Sequence, residues 1–125
     1  MDKKLESVML SCKPHYRENF MNNRRHHDMG GLDAEKINVS EHNYEIWEKK
    51  VDAIVKVLSS PDCGLLSTDE LRRGIEELGP GVYDELSYYE RWITSATNIL
   101  LEKGVFTVDE LGAKITEVET RWREK

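Results

Sequence analysis

Two stretches of this chain carry side chains suited to gripping an anion or a substrate. The first is Leu71-Arg72-Arg73, directly behind Ser67-Thr68-Asp69-Glu70. That tetrad is a capping box, in which Ser67 caps the third helical N–H while Glu70 reaches back to the cap. On the helix it opens, Leu71, Ile75 and Leu78 form one apolar stripe. At about 100° per residue from Leu71, Arg73 falls at about 200°, opposite the stripe and among Glu70, Glu76 and Glu77. Arg72 falls at about 100°, on the border of the stripe. The ordinary role of each is an i, i+4 ion pair, Arg72 with Glu76 and Arg73 with Glu77, worth only tenths of a kcal/mol. For Arg73 that role suffices. The border position of Arg72 also lets a planar, permanently charged fork enter an interface and hold an anionic group in bidentate fashion. The second stretch is Tyr88-Tyr89-Glu90-Arg91-Trp92. Tyr89 and Trp92 share a face at i, i+3 and read as core. Tyr88 lies off that face, which leaves its phenol for a partner or a ligand.

Other reactive residues carry less. Cys12 and Cys63 have neither CxxC spacing nor a His at ligand spacing, so each reads as a free or buried thiol. His26-His27-Asp28 resembles a metal cluster to the eye, but adjacent residues rarely converge on one ion. A loop or interface role is the expectation, and no metal site is assigned to the chain. There is no Gly-rich phosphate loop, no GxSxG elbow and no carboxylate pair spaced for acid/base work. Taken alone, the chain shows no complete active site.

The elements that must position Arg72 and Tyr88 are helical. From His42 to Ser59 the apolar residues Ile46, Trp47, Val51, Ile54, Val55 and Leu58 follow i, i+3/i+4 spacing, and Pro61 ends the run. The capped helix carrying Arg72 ends at Gly79-Pro80-Gly81. A third helix is predicted from about Asp84 to Lys103, burying Tyr89, Trp92, Ile93, Ala96, Ile99 and Leu100 and stopped by Gly104. Thr107-Val108-Asp109-Glu110 is a second capping box, opening a last helix with Val108, Leu111, Ile115, Val118 and Trp122 on one side. No alternating β-branched run supports a sheet. The expected fold is all-α, a bundle of about four helices.

Charge divides the chain near Ser40. Residues 1–40 hold 7 basic and 6 acidic groups, whereas residues 41–125 hold 11 and 18. A nearly neutral arm (1–40) thus precedes an acidic helical domain (41–125). The arm's stretch from His15 to Asp33 has no helical period and is too polar to fold alone. It is expected either to lie extended across another surface or to be disordered. A net charge of −6 and pI near 5.3 argue against a nucleic-acid partner. No run is apolar enough to span a bilayer, and the N-terminus lacks a secretory pattern, so the expected compartment is cytoplasmic.

Several segments, in order, bear a family likeness. They are His27-Asp28-Met29-Gly30-Gly31, Glu45-Ile46-Trp47-Glu48, Leu66-Ser67-Thr68-Asp69-Glu70-Leu71-Arg72, Tyr88-Tyr89-Glu90-Arg91-Trp92, and Leu101-Glu102-Lys103-Gly104 followed by Thr107-Val108-Asp109-Glu110-Leu111. With them the chain resembles the N-terminal half of the nitrile hydratase β subunit. It is similar also to the short subunits of split relatives, thiocyanate hydrolase and toyocamycin-type nitrile hydratase.

The resemblance implies half of an enzyme, metal-free in itself. In this family an α-type subunit holds Co(III) or Fe(III) in a Cys-rich loop whose thiolates are oxidised to sulfenate and sulfinate. The β-type helices cover that site. Arg72 matches the Arg that hydrogen-bonds the oxidised cysteine oxygens, and Tyr88 matches a Tyr lining the substrate pocket. His27, Asp28, Gly30 and Gly31 would belong to the arm that wraps the α-type partner, with Trp47 and Tyr89 at the interface. The usual β subunit continues into a β-barrel carrying a second Arg, so the resemblance implies a further, barrel-type polypeptide. The substrate would be a small nitrile or thiocyanate. Two alternatives accompany this reading, an activator that escorts metal to the α-type subunit and an acidic helical interaction module.

Overall fold

The computed structural model describes residues 24–33, 36–37 and 39–124. Cys12 and His15 lie outside the described residues. Chain contacts divide the molecule into two units, Met1–Glu35 and Lys36–Lys125. In the second unit the order is α1 (Ile46–Leu58), α2 (Thr68–Glu76), α3 (Val82–Glu85), α4 (Tyr88–Glu102) and α5 (Val108–Arg123). Among the described residues there are five helices and no strand.

Local chemistry sets each boundary. α1 starts at Ile46, four residues later than His42, because the Glu48 carboxylate turns back to accept the Glu45 N–H at 2.8 Å. Glu48 is buried at this helix N-terminus, where N–H groups and the helix dipole suit a carboxylate, and His42 Nε2 approaches it at 3.2 Å. α2 opens on the expected box: Ser67 Oγ accepts from Glu70 N–H, and the Glu70 carboxylate accepts from Ser67 N–H at 2.8 Å. The predicted helix from Asp84 is two helices. α3 is a single turn, extended backbone at Leu86 and Ser87 interrupts it, and a third capping box, Ser87 with Glu90, starts α4 at Tyr88. Ser87-x-x-Glu90 was the sequence signal for that break. Thr107 and Glu110 form the box that opens α5.

The core is Val51 and Val55 from α1, Leu66 from the following loop, Leu71 from α2, and Ala96 and Ile99 from α4. Leu58, Ile75, Tyr89, Trp92 and Ile93 pack around it half-buried, consistent with the stripe positions read from periodicity. Leu66 reaches the core because the loop folds back on α1, with the N–H groups of Leu65 and Leu66 both donating to the Leu58 carbonyl. In α1, Ile46, Trp47 and Ile54 stay exposed, so the stripe is narrower than its spacing suggested. The last helix departs further: α5 buries none of its residues, and its apolar row does not join the core.

α2 and α4 cross at Gly74. A Cβ there would collide with Ser95 Oγ and come within 3.2 Å of the Ile99 Cδ1. Ser95 is fully buried and donates across the crossing to the Leu71 carbonyl at 2.7 Å. Below the crossing, Lys103 Nζ binds the Leu65 carbonyl at 2.9 Å and the Glu70 carboxylate at 2.7 Å, joining the C-terminal end of α4 to the cap of α2. The hydrogen bond from Lys103, and then those from Ser67, hold the Glu70 carboxyl down at about 2.

Two predictions test this packing. Gly74→Ala should destabilise the fold by about 1–3 kcal/mol through overpacking, more than the helix propensity it gains. On a Ser95→Ala background the same change should cost less, since the atom it strikes is gone; equal costs in urea titrations of both backgrounds would refute the close crossing. Glu70 is lowered in the folded state, so its contribution is complete above the unfolded carboxylate range and disappears as pH falls toward about 2. Acid melts between these limits should therefore be shallower in Glu70→Gln than in the parent.

Candidate functional site

Three helices enclose a cleft of about 470 Å³. Asp52, Val55, Lys56 and Ser59 come from α1 and its C-cap; Thr68, Leu71, Arg72 and Ile75 come from α2; Tyr88 and Trp92 come from α4. Val55 and Leu71 are also core residues, so the floor of the cleft is the outer surface of the core. Polar groups gather on its walls. On the α1 side Lys56 Nζ binds Asp52 at 2.7 Å, an exposed pair that raises the Lys56 pKa through this hydrogen bond.

Arg72 and Tyr88, far apart in sequence, share this cleft. The Arg72 side chain is 72% exposed, and its nearest carboxylate is Asp69, one turn back, at 3.9 Å. That contact is too long for a hydrogen bond. Arg72 makes no hydrogen bond among the described residues, so its planar donor set is open. Arg73 behaves as predicted and more: it pairs with Glu77 at 2.8 Å and with Glu102 of α4 at 2.9 Å. One arginine ties helices together, and its neighbour offers its charge to the cleft.

Tyr88 stands at the first position of α4, 61% exposed. Its ring lies 5.3 Å from Trp92 and edge-on to Tyr89 at 5.2 Å, which fixes the ring while its hydroxyl has no partner among the described residues. Tyr89 sits beneath it and packs on the core. Burial raises the Tyr89 pKa, with the nearby Asp52 carboxylate as the next cause. The aromatic row continues through Tyr44, 6.0 Å from Tyr89, to His42, 5.1 Å from Tyr44. Periodicity missed Tyr44 and His42 because they precede the helix and follow no repeat. Arg91 of the same segment stacks over Tyr83, its Cζ 4.3 Å from the ring centroid.

The remaining predicted residues lie elsewhere. Trp47 is outside the cleft lining, in the first turn of α1, with Nε1 donating to the Glu45 carboxylate at 3.1 Å. His27, Asp28, Gly30 and Gly31 fall in the first unit, in a stretch with more local order than its composition suggested. Asp28 N–H donates to the Arg25 carbonyl and Leu32 N–H to the Met29 carbonyl, giving two consecutive turns. Asp28 Oδ1 accepts the Gly30 N–H at 2.9 Å, and Arg24 donates to the Gly30 carbonyl at 2.6 Å. Gly31 adopts φ +73°, a conformation that favours glycine. Cys63 is a free, half-buried thiol. Among the described residues, no three His, Cys, Asp or Glu side chains converge as metal ligands, and no helix is long and apolar enough to cross a membrane.

Residues 21–125 match the family model described as nitrile hydratase beta subunit, N-terminal. The chain is 36% identical over 89 residues to a nitrile hydratase subunit beta of Pseudomonas putida, an alignment covering 68% of this chain and 40% of that one. It is 35% identical over 96 residues to the thiocyanate hydrolase subunit beta of Thiobacillus thioparus, covering 76% and 60% respectively. The chain therefore spans less than two thirds of either relative. Among solved structures, a recombinant apo-enzyme of thiocyanate hydrolase from Thiobacillus thioparus superposes with a TM-score of 0.77 at 29% identity, covering 98% of this chain and 86% of that one.

The raised pKa of Tyr89 gives a spectroscopic test of this aromatic packing. Tyrosinate absorbance at 295 nm should show a component titrating above pH 10 that Tyr89→Phe removes. Loss of no such component in the variant would place Tyr89 in solvent.

Proposed function

The chain belongs to the nitrile hydratase β-subunit N-terminal family, and from that premise we propose that it is the helical β-type subunit of a heteromeric nitrile hydratase or thiocyanate hydrolase. In this reading it lies over the metal site of an α-type subunit in the cytoplasm, with a barrel-type polypeptide as a further partner. The observation that carries it is the meeting of Arg72 and Tyr88, from different helices, on one cleft, with neither side chain hydrogen-bonded among the described residues.

The chemistry of that pair suits an oxyanion rather than a metal ion. A guanidinium with open, coplanar N–H donors binds two oxygens of a sulfenate–sulfinate pair, neutralising them and fixing their orientation. Sulfur oxyanions of metal-ligating cysteines on the α-type partner are the proposed acceptors. Lysine in the same place would supply charge without the planar fork. The partner's Co(III) or Fe(III), when bound, supplies Lewis acidity toward a nitrile or thiocyanate, or activates the oxygen that attacks its carbon. This chain's own contribution is positional. Tyr88, braced by Trp92 and Tyr89, presents a hydroxyl at the cleft wall to orient the substrate or the partner's loop. Val55, Leu71, Ile75 and Trp92 offer the apolar surface that a small nitrile or thiocyanate needs to leave water. The two-turn segment around His27, Asp28, Gly30 and Gly31 is proposed to grip the α-type subunit, with Trp47 exposed toward the same partner.

Co-expression with α-type and barrel-type polypeptides tests the reading. The chain should copurify at fixed stoichiometry, and Arg72→Lys should lower turnover of a nitrile or of thiocyanate about 10–100-fold. Because Arg72 makes no hydrogen bond among the described residues, the variant's melting temperature should stay at the parent value. A chain that leaves the complex once metal is loaded would instead mark an activator. Full activity in Arg72→Lys would remove the proposed role of the guanidinium.

A further inference from the structure

Among the described helices, α5 is the long one that contributes nothing to the core. Its large apolar residues are Val108, Leu111, Ile115, Val118 and Trp122, spaced 3, 4, 3 and 4 apart. This is the a/d pattern of a coiled-coil seam. Val108, Ile115 and Trp122 occupy the a row and are 69%, 51% and 78% exposed, while Leu111 and Val118 in the d row are half-buried. Over so short a helix the mismatch between 3.5 and 3.6 residues per turn rotates the row by only about 20° per heptad, so it remains one continuous face.

The flanking charges say what covers it. In this register Lys114 stands at a g position and Glu119 at the following e position. In a parallel pair the g residue of one helix meets the next e residue of its partner, so two copies of α5 would bring Lys114 against Glu119 twice. In an antiparallel pair g faces g, which sets Lys114 against Arg121. Lys114 now pairs with Glu117 at 2.8 Å, an exposed i, i+3 contact that is easily exchanged.

We propose that α5 pairs with α5 of a second copy of this chain, parallel and in register, through the seam Val108–Leu111–Ile115–Val118–Trp122. This contact is independent of the cleft, so it holds or fails separately from the proposed catalytic role.

Sedimentation of the full chain between about 1 µM and about 200 µM tests this directly. The expected result is a concentration-dependent dimer that Ile115→Asp converts to monomer with unchanged helicity by circular dichroism. Should Ile115→Asp disturb folding, Trp122→Ser, at a still more exposed a position, serves the same purpose. Lys114→Glu and Glu119→Lys should each weaken the dimer roughly tenfold, while an equimolar mixture of the two recovers parental affinity. A monomer at the highest concentration, or a dimer indifferent to Ile115→Asp and Trp122→Ser, overturns the proposal. So does a tighter dimer in Lys114→Glu, which is the signature of antiparallel pairing.

Discussion

The approach of α2 to α4 depends on an absent side chain. At Gly74 two helix backbones come so close that the serine opposite fills the space a Cβ would need, and that serine spends its only proton on the Leu71 carbonyl. Everything near the cleft inherits this distance. Leu71 is drawn into the core, so Arg72, the next residue, is carried to its rim rather than to the outer face where Arg73 sits. Tyr88 and Trp92 stand one to two turns before Ser95 on the other side of the same crossing. A wider crossing would separate the guanidinium from the phenol without altering either residue.

Ion pairs reinforce the arrangement at its edges. Arg73 spans to Glu102, and Lys103 spans to Glu70 and the Leu65 carbonyl, so the last turn of α4 is clamped to both ends of α2. Such exposed contacts contribute little energy singly. Their role is registration: they oppose sliding of α2 along α4 once the glycine–serine contact has set the separation. The division of labour between adjacent arginines follows. Arg73 is committed to carboxylates on two helices, which leaves Arg72 as the cation that the cleft can use.

Much of this is legible in the amino-acid sequence. Capping boxes at Ser67 and Thr107 are short-range chemistry, written in four consecutive residues, and both helices start where they indicate. The angular placement of Arg72 against Arg73 needed only helix geometry. The break at Leu86-Ser87 is written in a box of the same kind, Ser87 with Glu90, but apolar spacing, which begins only at Tyr89, does not reveal it. The asymmetry of α5 was illegible for a different reason. Periodicity shows that a face is apolar but not whether its own chain covers it. Likewise, nothing local to Gly74 reveals a serine 21 positions later as its neighbour. His42 and Tyr44 gained their places through contacts with Glu48 and Tyr89, which no repeat encodes.

The paired turns at residues 24–33 carry a thermodynamic consequence. Freezing one residue's backbone costs roughly 1–2 kcal/mol of conformational entropy. A segment that meets a partner as free chain bears that cost during association. Here Arg24 already holds the Gly30 carbonyl, Asp28 already holds the Gly30 amide, and Gly31 already occupies its left-handed conformation. Much of the ordering is complete beforehand, so any surface that bound this segment would receive a shaped object, with little of the contact energy lost to folding.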